Sequence, residues 1–147
     1  MMKFPHKAAA AVTFAICVTA AWLFQESANN DAFFLREFGM PSYEFRELKL
    51  VQDGGMMSSR SYRRFKCDKP LNLKNLSHFH EPYNTHWKSE YSQDFLEHFP
   101  QDADALTQKD QLECLEVSYK NSYSESRKRL LMNKSKKLYW YLVSGSS

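Results

Sequence analysis

The sequence predicts an α+β, β-rich protein: an N-terminal membrane helix at residues 1–25, then one small antiparallel β domain at 26–147 with a helix in its C-terminal half. Three observations lead there. Ala8 to Phe24 carries no charge. Two turn signals, Asp53-Gly54-Gly55 and Asn133-Lys134-Ser135-Lys136, each separate two strand-like runs. Aromatic residues make up 15% of the 147, against 4 glycines and 5 prolines, the composition of a packed domain.

The uncharged run spans about 25 Å as a helix, the short end of what crosses a bilayer. Lys3 and Lys7 precede it, and Glu26 and Asp31 follow it. That asymmetry places the N-terminus inside and the domain outside the cytoplasm. Trp22 near the outer end suits an interfacial aromatic. Two readings stay open. The segment is an uncleaved anchor, or it is a signal removed after Val18-Thr19-Ala20. Cys17, preceded by Phe14-Ala15-Ile16, lacks the surroundings of a lipidation site and reads as a thiol packed in lipid.

Without Lys3 and Lys7, the 20 basic residues fall to 18, against 17 acidic ones. Such a balance gives no charge argument for direct nucleic-acid binding. Cys67 and Cys114 in an oxidising compartment suggest a disulfide. It would close a loop of about 47 residues, worth roughly 4 kcal/mol in chain entropy. The alternative is two unrelated buried thiols.

Residues 26–35 read as a linker. Ser42–Val51 reads as a first strand. Its apolar phase slips between Tyr43/Phe45 and Leu48/Leu50, the mark of a bulge. Met57–Cys67 completes a hairpin. Residues 68–100 read as irregular, with one or two short strands and a short helix near Ser92–His98. Thr107, with Asp110 three residues on, resembles a helix N-cap. Leu112, Leu115 and Tyr119 then suggest a helix over 108–118, while Leu115, Val117 and Tyr119 fit a strand. Arg129–Met132 and Lys137–Val143 form a closing hairpin. In its last strand Leu138, Trp140 and Leu142 share the face expected in the core. Tyr139, Tyr141 and Val143 share the other, expected to contact a partner.

His78, His80 and His86, with Glu81, sketch a zinc site, but the spacing is loose and no Cys supports it. They read as loop residues. Asp102 and Asp104 read as a solvated loop rather than a metal-binding pair. Arg127, Lys128, Arg129, Lys134, Lys136 and Lys137 form a basic cluster, and Glu90–Glu116 is acid-rich. These are two solvated faces attracting weakly, or a docking patch for an acidic partner or anionic head groups. There is no Gly-rich phosphate loop, no Gly-x-Ser-x-Gly and no Cys beside a base, so no enzyme, metal or cofactor is expected.

Three stretches resemble the ToxS family, the membrane partners of ToxR-type transcriptional regulators. They are Ala21-Trp22-Leu23-Phe24 with Phe34-Leu35-Arg36-Glu37-Phe38 and Tyr43–Leu50; Leu76-Ser77-His78-Phe79; and Thr107–Leu112 through Ser126-Arg127-Lys128-Arg129 to Lys137–Ser147. The Cys67/Cys114 pair and a shorter, weakly strand-like middle depart from that pattern. The resemblance implies a single-pass protein of the bacterial inner membrane with a periplasmic, lipocalin-like β domain, complete or incomplete. It implies binding to the periplasmic domain of a membrane-bound regulator, protection of that regulator from proteolysis, promotion of its activity, and a shared cavity for bile-acid-like amphipaths. The competing expectations are a cleaved-signal periplasmic or secreted binding or immunity-type protein, and a His-based metal-binding periplasmic protein.

Overall fold

The structure, a computed structural model, describes residues 6–54, 58–77, 83–85, 87–120 and 122–146. It is α+β. Helix α1 (His6–Phe38) is followed by the hairpin β1 (Phe45–Gly54) and β2 (Ser58–Cys67). Then come the short β3 (Tyr83–Thr85), the helices α2 (Ser89–His98) and α3 (Ala103–Leu106), and three long strands, β4 (Leu112–Lys120), β5 (Glu125–Asn133) and β6 (Leu138–Ser146). One antiparallel sheet runs in the order β1-β2-β6-β5-β4-β3. Among the described residues nothing pairs β1 with β3, so the sheet is open where a lipocalin-like barrel would close.

Both faces of the sheet are covered. On one, Phe33, Phe34 and Phe38 of α1 pack with Phe45, Phe65, Cys67, Leu115, Leu130 and Tyr141. On the other, Tyr91, Phe95, Phe99 and Leu106 pack with Tyr62, Leu131, Leu138, Trp140 and Leu142. The layers are therefore helix, sheet and helix, and β6 lies near the middle of the central layer. That position explains its apolar character on both sides.

The expected linker at 26–35 is helix instead. Phe34 and Phe38, and Phe33 and Glu37, stand four residues apart and form one stripe. Burial of each Phe stabilises by about 2 kcal/mol, more than a short exposed helix lacks on its own. The helix stops at Gly39. Its amide donates to the Leu35 carbonyl at 3.0 Å, in the left-handed conformation (φ 64°) that favours glycine. A Cβ there would also meet Asn75 Nδ2 at 3.3 Å.

The hairpins fall where the turn signals place them. The phase slip is a bulge: register shifts between Arg46 and Lys49, with Glu47 at φ 52°. Phe45 and Leu48, of opposite parity, consequently reach the same α1-side cluster. The helix near Ser92–His98 is α2. The helix over 108–118 is not formed. After a 3-10 turn at Lys109–Gln111 the chain is β4, paired with β5 along its whole length. The Thr107 hydroxyl caps no new helix; it donates to Ala103 O and Asp104 O at 3.0 and 3.1 Å, closing α3. Long-range pairing decides between two periodicities that the local sequence allows equally.

Among the described residues no helix is long and apolar enough to cross a membrane, so the fold lends the expected membrane helix no support. The expected disulfide is corrected. Cys67 and Cys114 are free and buried, Cys67 in the α1-side cluster and Cys114 in the opposite one. β6 and β5 also stand between their strands. Three strand spacings of about 4.8 Å far exceed the ~6 Å Cα separation a disulfide tolerates. Burial raises the Cys67 pKa, and its thiol donates to Lys69 O at 3.2 Å. We expect identical migration on reducing and non-reducing gels, with Cys67 and Cys114 alkylated only after denaturation. A mobility difference lost in both Cys67→Ser and Cys114→Ser would restore the bridge.

Candidate functional site

The closing strand, where the partner face was expected, is built from both sides by the chain itself. Tyr141 is fully buried, its ring 5.9 Å from Phe33 and 5.4 Å from Phe38. Its hydroxyl donates to Glu37 Oε2 at 2.8 Å. Lys128 Nζ donates to the same carboxylate at 2.8 and 3.1 Å, and Arg36 Nε at 3.3 Å. Tyr139 is half-buried and stacks on Phe65 at 5.5 Å, and Val143 is half-buried. Within the expected contact face Tyr139, Tyr141 and Val143, the centre, Tyr141, is covered by α1, and Tyr139 and Val143 stay partly exposed. The division of the strand into two faces holds, with Leu138, Trp140 and Leu142 on the other.

Glu37 is only 2% exposed. Burial pushes its carboxyl up. The hydrogen bonds from Lys128 and Tyr141 and the charges of Lys128 and Arg36 outweigh that, leaving its pKa below the usual value. Burial and the neighbouring carboxylate drive the Tyr141 hydroxyl far upward, so it stays a donor. Arg63 lies 3.5 Å from the Phe33 ring centre, and burial and the Arg36 charge lower its pKa.

The opposite face holds a second polar knot. Asp102, expected in a solvated loop, is buried. It accepts from Arg64 Nε at 2.7 Å, Arg64 Nη2 at 2.9 Å and Trp140 Nε1 at 2.9 Å, while Asp104 is exposed. This bidentate pair ties α3's entry to β2 and β6. Tyr62, stacked on His98 at 3.7 Å, donates to Asp94 Oδ1 at 3.0 Å, and burial raises its pKa to about 12.

The basic and acid-rich stretches meet more closely than two solvated faces would. Arg129 donates to Glu116 at 2.8 Å with both side chains buried, and its guanidinium lies 3.9 Å over Tyr91. Lys134 pairs with Glu113, and Lys128 is committed to Glu37. Lys136 and Lys137 are exposed. His78, His80, Glu81 and His86 lie outside the described residues. Among those described, no cluster of His, Cys, Asp or Glu is suited to a metal.

A different surface stands out at the N-terminus. Val12, Phe14, Ile16, Val18 and Trp22 of α1 are all more than half exposed. At about 100° per residue they spread over more than half of the circumference rather than along one stripe. The Thr13 and Thr19 hydroxyls donate back to Ala9 O at 3.0 Å and Ala15 O at 2.8 Å, so neither needs water. Compared against protein families, characterised proteins and solved structures, the chain shows no match to any.

Sequence reasoning missed Glu37 and Asp102 because a carboxylate reads as solvated. For Glu37, its i, i+4 spacing from Phe33 inside an aromatic stripe was a usable signal. The lowered pKa of Glu37 contributes stability that is complete above the unfolded value of about 4.3 and is lost as pH falls through the lower folded value. We expect Glu37→Gln to destabilise by about 2 kcal/mol at neutral pH and to flatten the stability decline below about pH 4.5, measured by urea unfolding. An unchanged acid limb would remove Glu37 from the account.

Proposed function

We propose that the chain is a membrane-anchored accessory protein: residues 8–24 sit in the bacterial inner membrane, N-terminus inside, and the domain binds and stabilises a membrane-bound transcriptional regulator in the periplasm. The observation that carries this reading is the outward-facing apolar sleeve of α1 with its self-satisfied threonines. Lipid demands such a surface, since no water is there to pair stray hydroxyls. The uncharged run includes Leu23 and Phe24, whose side chains are outside the described set. Its ~25 Å falls short of a ~30 Å hydrocarbon core, a mismatch met by local thinning of the bilayer.

The sleeve and the domain share one helix. The stripe Phe33–Phe38 that fills the core lies downstream of Ala20, so the domain keeps its core helix with or without cleavage. With Tyr141 inside, the regulator's contact moves elsewhere. Among the described residues no further strand pairs with the β1 edge, where Leu50 is 46% and neighbouring Tyr43 81% exposed, and a partner strand could add there. The resemblance to the ToxS family supports a ToxR-type regulator as that partner, with protection from proteolysis as the consequence.

A reporter active only outside the cytoplasm, fused after Ser147, is expected to be active, and mass spectrometry to find the N-terminus uncleaved. Deleting the gene should shorten the half-life of the regulator severalfold, with restoration by the wild-type chain and not by a Leu50→Asp variant that folds normally. Reporter activity confined to the cytoplasm overturns the anchored reading. An unchanged regulator half-life overturns the partner.

A further inference from the structure

We propose that the hairpin end of the sheet holds an oxyanion site formed by Arg60, Ser144 and Arg127, taking a phosphate group. Register places these three directly across from one another on β2, β6 and β5. Residues directly opposite share a face, so two arginines about 10 Å apart at the backbone flank a serine hydroxyl. The face is the one α2 covers. That cover extends to the row of Tyr62 and Leu142, which packs with Phe95, and Arg60 lies one row farther out. An open cleft of about 190 Å³ results, with Ser58 adding a second hydroxyl. It has room for roughly six waters, and so for a phosphate with part of its hydration shell.

The state of Arg127 points to a ligand. Its Nε is buried without a hydrogen-bond partner. Its carboxylate neighbours stand at ion-pair distance only, Glu116 at 3.8 Å and Glu125 at 3.7 Å. Glu116 is drawn instead to Arg129 at 2.8 Å. An oxyanion in the cleft would take charge-assisted bonds from the outer N–H groups of the Arg127 guanidinium, whose side chain is 42% exposed, while its Nε stays turned toward Glu116. Glu125 lines the same cleft and partly neutralises it. It acts as a resident counter-charge that the ligand must push aside.

Position argues against the head groups of the anchoring bilayer. Asp31 Oδ1 accepts from the Ser42 amide at 3.0 Å and Glu37 holds Lys128, so α1 lies against the face opposite the one that carries Arg60 and Arg127. Arg60 also lies seven residues along β2 from Cys67, about 23 Å from the end of the β1–β2 pair at which Asp31 is held. The site therefore suits a free phosphate or a phosphate monoester and does not depend on the membrane reading.

The test is a titration of the full-length chain in neutral detergent with sodium phosphate, followed by calorimetry and thermal shift, with sodium chloride at matched ionic strength as reference. We expect a saturable phosphate response that chloride does not reproduce. Arg127→Gln and Arg60→Gln should each weaken it by about tenfold or more, and Glu125→Gln should strengthen it severalfold. The melting temperatures without phosphate, measured for each variant, separate lost binding from lost folding. An equal response to chloride, or a phosphate response indifferent to all three substitutions, overturns the site. Binding of anionic-lipid vesicles without any phosphate response overturns the assignment to a free phosphate group.

Discussion

The docking of the last turns of α1 onto the sheet is the constraint on which the rest of the structure depends. A carboxylate, Glu37, is carried into an aromatic layer, where its desolvation would cost several kcal/mol if it were unpaired. Tyr141 and Lys128 meet it there, one from β6 and one from β5. Their hydrogen bonds fix both the rotation and the depth of the helix. A stripe of Phe alone would tolerate sliding; a buried carboxylate with two specific donors does not. Once the helix is set, Phe34 stacks on Phe45 at 3.9 Å and Phe38 lies against Phe65, which brings in the β1–β2 hairpin.

The same logic operates on the other face in a different form. Asp102 draws Arg64 from β2 and Trp140 from β6 to one point, which seats α3 and the end of α2. β6 therefore carries an anchor on each side, Trp140 toward α3 and Tyr141 toward α1. Adjacent residues on one strand couple the two helical layers through the sheet. The third acidic contact, Glu116 with Arg129 beneath Tyr91, extends this to β4 and β5. Three buried or nearly buried carboxylates thus specify the packing of a core that is otherwise largely aromatic and aliphatic.

The parts of the fold legible from the sequence were those with local signals. Asp53-Gly54-Gly55 and the Asn133–Lys136 turn marked two hairpins, and the parity slip after Phe45 marked the bulge at Glu47. The alternation in Leu138–Val143 separated the two faces of β6. What failed had competing local readings. Leu112–Tyr119 satisfies helix and strand periodicities alike, and only pairing with β5 resolves it. Residues 26–35 read as a linker because the stripe Phe33, Phe34, Phe38 is too short to announce a helix by itself. Cys67 and Cys114 were paired by compartment logic, which carries no information on which face of the sheet each residue occupies.

By itself the sequence determined the α+β class, both hairpins, the bulge and the two-faced character of the closing strand, because each follows from backbone chemistry and periodicity within a few residues. The tertiary structure alone decided what covers Tyr141, that the thiols lie apart on opposite faces, and that Glu37 and Asp102 are inside. Those outcomes depend on contacts between residues as much as 104 positions apart. A carboxylate bound for the core looks, in sequence, the same as one bound for water. Only the donors that meet it distinguish the two, and the fold brings those donors.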